Sequence, residues 1–133
     1  MKEMIILRGL PSSGKSSLAK ILAGACPSSV ICSADNYFVD SYGNYVYNPS
    51  HIRFAHQDCQ RLARLAAIQA SGLIIIDNTN TTEQEYQYYI DLGNQYGYNI
   101  RSIVVETTHS NKNDHNVPEK TITKMRNRFK VNL

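Results

Sequence analysis

The sequence predicts an α/β fold, with a mostly parallel sheet of about four or five strands between helices in a three-layer arrangement. Three observations predict it. Short apolar runs alternate with longer segments of helical spacing, one of those runs is β-branched and apolar at every position, and the first run is followed by a glycine loop and a helix start. A strand that is apolar throughout needs cover on both faces, which a parallel sheet with helices above and below supplies.

The elements follow in order. Met4 to Leu7 is a short apolar run that stops at Arg8-Gly9 and reads as the first strand. Lys15 to Ala25 places Leu18, Ile21 and Leu22 at i, i+3, i+4 and predicts a helix. After Pro27-Ser28-Ser29, Val30 to Cys32 reads as a second strand, and the aromatic and polar stretch from Ser33 to Pro49 as a loop. From about His51 to Ala70, Ile52, Ala55, Cys59, Leu62, Ala63 and Ala66 keep helical spacing, and Ser71-Gly72 supplies the stop. Leu73 to Ile76 is the uniformly apolar strand, ended by Asp77 and followed by the polar loop Asn78 to Thr81. Thr82 with Glu85 makes a capping box for a helix carrying Tyr86, Tyr89, Ile90 and Leu92 and closed near Gly97. A fourth strand runs from about Asn99 to Val105, residues 107–116 are polar, and Pro118 opens a last helix with Ile122, Met125 and Phe129 on one face. No internal repeat divides the chain, so residues 1–133 are expected to form a single domain.

At 133 residues the chain is long enough for one core without disulfide or metal staples. A net charge of +3 permits an acidic ligand but is far from the basic load of a dedicated nucleic-acid domain. Cys26, Cys32 and Cys59 are odd in number, lack a C-x-x-C pair and show no zinc spacing with His51, His109 or His115, so no disulfide framework or structural metal is expected. The first apolar run is too short for a signal segment and none approaches a membrane span. The expectation is a soluble, cytoplasmic protein with no membrane partner, its oligomeric state open.

Gly9 to Ser16 reads GLPSSGKS and matches G-x4-G-K-S/T. This pattern lets the backbone curl around a phosphate, aims successive N–H groups and a helix N-terminus at the anion, and adds a lysine for the β/γ-phosphates and a hydroxyl for Mg²⁺. The expected ATP-binding set is therefore Gly9, Pro11, Ser12, Ser13, Gly14, Lys15, Ser16 and Ser17, with Ser16 on the metal. Asp77, ending the buried strand, is the expected second Mg²⁺ residue; its alternative is an ordinary turn residue. In such sheets ligands bind at the carboxyl ends of strands, where Gly9, Asp35 and Asp77 all fall. Asp35 lies beyond the second strand, in position to accept a proton from an attacking hydroxyl, which favours transfer to an alcohol. The alternative is a solvated loop carboxylate or cap. A GTPase reading would need an N-K-x-D base reader, which Asn111-Lys112-Asn113-Asp114 only approximates, and a glycine after Asp77, where Asn78 stands. Among Tyr37, Phe38, Tyr42, Tyr45 and Tyr47, packing is expected for most, with Tyr37 as the exception that contacts an acceptor base or sugar. Arg53, Arg61 and Arg64 share a helix face and are expected to be solvated, with an acceptor groove as the alternative.

Taken together, the GLPSSGKS loop, Ser33-Ala34-Asp35-Asn36-Tyr37-Phe38, Ala55-His56 with Gln60-Arg61, Ile75-Ile76-Asp77-Asn78-Thr79-Asn80, Gly97-Tyr98, and Asn113-Asp114-His115-Asn116-Val117-Pro118 with Met125 and Arg128 resemble the AAA-type P-loop kinase family. This is the family of phage 5′-polynucleotide kinase and the Nedd-four-binding-protein-like ATP-binding proteins, and the resemblance spans nearly the whole chain. It implies a kinase-like core, the strand of Asp77 beside that of the phosphate loop, and a lid over the nucleotide around residues 107–118. By position it implies Lys15 and Ser16 on ATP and Mg²⁺, Asp35 as general base, and Asn78 and Asn80 holding acceptor or phosphate. Phe38 stands where the phage enzyme has an arginine. Lys112 stands at a lid arginine, so the lid's catalytic charge is expected from Lys112 with Arg126, and Arg128 is expected on the nucleotide. The implied function is an ATP-dependent kinase acting on a hydroxyl, a 5′-hydroxyl polynucleotide end or nucleoside-like acceptor, with single-stranded nucleic acid as a candidate partner. The alternative is an ATP-binding module with slow ATPase activity.

Overall fold

The computed structural model describes residues 1–11 and 13–106. Its strands are β1 (Glu3–Arg8), β2 (Ser29–Cys32), β3 (Leu73–Asp77) and β4 (Asn99–Val104), and its helices α1 (Lys15–Gly24), α2 (Ile52–Ile68) and α3 (Glu83–Gln95). The strands form one sheet in the order β2-β3-β1-β4, and every pairing is parallel. Ile5 pairs with Ile75 on β3 and with Arg101 on β4, while Ile31 pairs with Ile75 from the other side. All five residues of β3 are buried, as its uninterrupted apolar run requires of a strand inside the sheet.

Each face of the sheet carries its own core. Met4, Ile6, Ile74 and Ile76 pack with Ala55, Cys59, Ala63 and Ala66 of α2 and Tyr86, Tyr89 and Leu92 of α3. Leu7, Leu73 and Ile75 face the other way, against Ala19, Leu18 and Leu22 of α1. The alternation of side chains along each strand thus divides helices into two layers around the sheet. Ile21 departs from the expected apolar face of α1: it is 70% exposed, because the covered stripe is centred on Lys15 and Ala19.

The capping box of α3 forms, with Thr82 N–H donating to Glu85 Oε2 at 3.1 Å. The stretch from Ser33 to Pro49 is more ordered than the expected loop. Ala34–Phe38 and Pro49–His51 are short 3-10 turns, and Val39 bridges Tyr45 in antiparallel fashion. Local polar side chains cause this: Ser33 Oγ accepts from Asp35 N, Asn48 Oδ1 accepts from Ser50 N, and Asp40 Oδ1 accepts from the backbone of both Tyr42 and Asn44. No helix among the described residues is long and apolar enough to cross a membrane. The expected lid at 107–118 and the helix after Pro118 lie outside the described residues.

Candidate functional site

Because all four strands are parallel, their carboxyl ends share one edge, and the order β2-β3-β1 sets three connections side by side there. The loop from Gly9 leaves β1, Asp77 ends β3, and the turn carrying Asp35 leaves β2. Crossover connections are what bring together residues as far apart in sequence as Asp35 and Asp77.

The phosphate loop is tied down at its start. Gly9 N–H donates to Thr79 O at 3.0 Å, and Val105 N–H donates to Arg8 O at 2.7 Å. A Cβ on Gly9 would meet Ser13 Oγ at 2.6 Å and Val105 O at 2.7 Å, so only glycine passes here. Gly14 takes φ +101°, a left-handed conformation that glycine adopts without strain, and hands the chain to α1 at Lys15. Lys15 is buried, and its Nζ donates to Leu10 O at 3.3 Å across the loop. Burial lowers its pKa from the ordinary lysine value, while the carboxylates of Asp77 and Asp35 act against that shift and favour the ammonium. Ser13 is also buried, and its Oγ has no hydrogen-bond partner among the described residues. A buried hydroxyl of this kind fits an anion's oxygen in the loop.

Ser16 Oγ donates to Asp77 Oδ2 at 3.0 Å. A hydroxyl and a carboxylate at that separation are hard oxygen donors of the kind Mg²⁺ takes, so the two residues fit the ion. Asp35 is half-buried at the start of its 3-10 turn, and its Oδ1 accepts from the Tyr45 hydroxyl at 3.2 Å. Burial first, and then the neighbouring Asp35 charge, push the Tyr45 phenol above its ordinary pKa. Tyr45 therefore remains a hydrogen-bond donor to that carboxylate across the neutral range.

Pro11 lies within the loop and is half-buried, and Ser17 follows it and is exposed. Tyr37 is 39% exposed two residues beyond Asp35, whereas Phe38 is buried against Tyr45 and Tyr47 at ring distances of 6.1 and 5.2 Å. Asn78 and Asn80 are not open to the site. Asn78 Oδ1 accepts from Ala34 N at 2.9 Å, and its amide donates to Cys59 Sγ and the Tyr89 hydroxyl, each at 3.5 Å. Asn80 adopts φ +49°, a conformation asparagine tolerates better than most residues, and its amide donates to the Leu7 and Asn78 carbonyls. Both are buried, and their amides are taken up by protein groups at the strand end. Ser12, Lys112, Arg126 and Arg128 lie outside the described residues.

Two residues to which the sequence reasoning gave no role in the site help to shape it. Arg8 is completely buried at the end of β1; its Nε and Nη2 donate to the carbonyls of Asn80 and Thr81, and its guanidinium lies 4.7 Å from the Tyr86 ring centre. A charged residue ending an apolar strand was a readable signal for it. Tyr45 had none, since its reach to Asp35 depends on the turn between them.

The model of the AAA domain family matches residues 4–131 of the chain. NEDD4-binding protein 2 of Homo sapiens is 35% identical over 129 residues, which cover 92% of this chain and 7% of that relative; the chain thus spans a small fraction of the relative's length. Among solved structures, a chain of the Pnkp1/Rnl/Hen1 RNA repair complex superposes with a TM-score of 0.71 at 16% identity, over 96% of this chain and 44% of its own. The Mycobacterium tuberculosis APS kinase CysC, solved with AMPPNP and APS, gives 0.55 at 16% identity, over 92% and 67%. These likenesses show a P-loop kinase-like fold.

Proposed function

The chain belongs to the AAA domain family, and we propose that it transfers the γ-phosphoryl group of ATP, with Mg²⁺, to a hydroxyl, with a 5′-hydroxyl polynucleotide end as the acceptor. The observation that carries this reading is the placing of Asp35, held by the Tyr45 hydroxyl at 3.2 Å, on the sheet edge that also bears the phosphate loop. A passive nucleotide binder has no need of a second, positioned carboxylate there, and a hydrolase would turn it on water, an outcome the assay below separates from transfer to an alcohol.

In this reading the loop amides, the Ser13 hydroxyl and Lys15 bind the phosphates. Ser16 and Asp77 would hold Mg²⁺, which when bound offsets phosphate charge. Asp35 accepts the proton of the acceptor hydroxyl as that oxygen forms its bond to the γ-phosphorus; the bond from phosphorus to the β–γ bridging oxygen breaks and ADP leaves. The burial of Lys15 lowers the local dielectric, so its charge acts more strongly on the phosphates than it would in water. Lys112, Arg126 and Arg128 are assigned to the lid and nucleotide by family position alone.

The test is phosphoryl transfer from γ-labelled ATP to 5′-hydroxyl RNA and DNA oligonucleotides, with free phosphate counted alongside. Asp35→Asn is expected to lower transfer at least a hundredfold while binding a fluorescent ATP analogue as before, and Lys15→Ala to lose binding. Equal phosphate release by wild type and Asp35→Asn, with no labelled oligonucleotide, would replace the kinase with the nucleotide-binding module.

A further inference from the structure

The segment from Tyr37 to Phe54 concentrates exposed apolar side chains beside Asp35. Tyr37, Val39, Tyr42, Val46, Ile52 and Phe54 are each between 39% and 88% exposed, whereas Met4, Ile6, Leu7, Ile74, Ile75 and Ile76 of the sheet are fully buried. A patch of this kind, rimmed by polar groups, marks a surface that meets a partner.

Within it the aromatic rings form a continuous strip. The buried Phe38 ring anchors Tyr37 edge-to-face at 5.3 Å, Tyr37 meets the His51 ring at 6.1 Å, and His51 meets Phe54 at 5.8 Å. Arg53 lies alongside, its guanidinium carbon 5.6 Å from the Phe54 ring centre. The strip therefore starts two residues from the proposed base and leads away from it along the start of α2.

The charge around it selects the occupant. Asp40 is the one acidic residue between Tyr37 and Phe54, and it is turned onto the backbone of its own turn by two hydrogen bonds of 2.9 Å. Arg53 has no carboxylate partner among the described residues, in contrast to Arg61, which pairs with Asp58 at 3.0 Å. No acidic residue occupies the first turn of α2, so the partial positive charge of its N-terminus adds to that of Arg53. Exposed aromatics interleaved with uncompensated positive charge suit a chain of bases and phosphodiesters.

We propose that the Tyr37–His51–Phe54 strip, with Arg53, is the seat of the nucleotides that follow the 5′ end of a single-stranded polynucleotide acceptor, so that the site reads strand length and not the terminal nucleoside alone. This inference rests on the phosphotransfer reading for what happens at the 5′ end, and goes beyond it in naming residues outside the phosphate loop and the strand ends. Tyr37 takes the base nearest the reacting hydroxyl, His51 and Phe54 take those beyond it, and Arg53 meets a phosphodiester. Stacking of this kind tolerates any base, so length matters and sequence does not.

The experiment measures kcat/KM for phosphorylation of a nucleoside 3′-phosphate and of 5′-hydroxyl oligonucleotides of increasing length, in wild type and in Phe54→Ala and Arg53→Ala. Wild type is expected to gain roughly tenfold or more from the single nucleotide to the short oligonucleotide, and both variants to lose most of that gain. Binding of the fluorescent ATP analogue serves as the check on folding. Equal kcat/KM for the single nucleotide and the longest strand, or a length dependence that survives both substitutions, overturns the proposal while leaving the kinase reading intact. If no acceptor is phosphorylated the kinase reading falls, and fluorescence anisotropy with the same labelled oligonucleotides decides the surface separately. Saturable binding lost in Phe54→Ala upholds it; absence of binding assigns the patch to a protein partner and overturns it.

Discussion

Asn78 shows how one side chain links two parts of the site. Its carbonyl oxygen holds Ala34 N–H at 2.9 Å, the residue before Asp35, while its own backbone follows directly on Asp77. Its amide is braced by Cys59 and Tyr89, both buried. The proposed base and the proposed metal residue are thus held in register through a single amide. Asn78→Ala leaves the Ala34 N–H without its acceptor in a buried position, which costs about 1–3 kcal/mol of stability measured by urea unfolding. The larger expected effect is on turnover: kcat falls while ATP affinity, set by the loop on β1, holds. The asparagine itself was legible as part of a motif, but its role was not, because the sequence does not show that Ala34 lies against it.

Among the elements, α3 is held close to the sheet at one glycine. Gly93 faces β1 and β4, and a Cβ there would meet Ile100 Cδ1 at 2.7 Å, Ile100 Cγ1 at 2.9 Å and Met4 Sδ at 3.2 Å. Ile100 is half-buried and can give way in part, whereas Met4 is fully buried and cannot turn its side chain into solvent. Alanine raises helix propensity by about 1 kcal/mol over glycine, but overpacking a core costs about 1–3 kcal/mol. Gly93→Ala is therefore expected to lower stability, as a fall in thermal midpoint read by circular dichroism, with ATP-analogue affinity unchanged. A rise in midpoint would mean that α3 moves away from the sheet at little cost. The helix itself was readable from Thr82, Glu85 and its apolar spacing; the close approach of its glycine was not, because closeness to β4 depends on which strand α3 lies over.

For the whole molecule, the site is a product of strand order. The loop of β1 and Asp77 of β3 belong to neighbouring strands, so a ligand that spans them binds the folded chain and not the unfolded one. ATP with Mg²⁺ at a hundredfold its dissociation constant should add about 2.7 kcal/mol, an upward shift in thermal midpoint on the order of 10 °C for a domain of this size. Asp77→Asn is expected to abolish the part of that shift that depends on Mg²⁺ and to keep the part due to nucleotide alone. An undiminished magnesium effect in this variant would remove Asp77 from the metal assignment.

Local chemistry was readable wherever it depends on residues close in sequence. The apolar run of β3, the capping box of α3 and the glycine loop ahead of α1 each declare themselves within a few positions, because pleat, cap and tight turn are short-range demands. The aromatic stretch after Asp35 was half legible: Phe38 packs as expected and Tyr42, 88% exposed, does not, while its 3-10 turns and the Val39–Tyr45 bridge do not show in a periodicity. Contacts across the molecule were decided by the order β2-β3-β1-β4. That order alone sets Ser16 against Asp77, Asn78 against Ala34, and the buried Arg8 against the carbonyls of residues 80–81. Spacing along a chain specifies which groups a segment offers; only the packing of parallel strands, which must bury both faces of β3 at once, specifies which groups they meet.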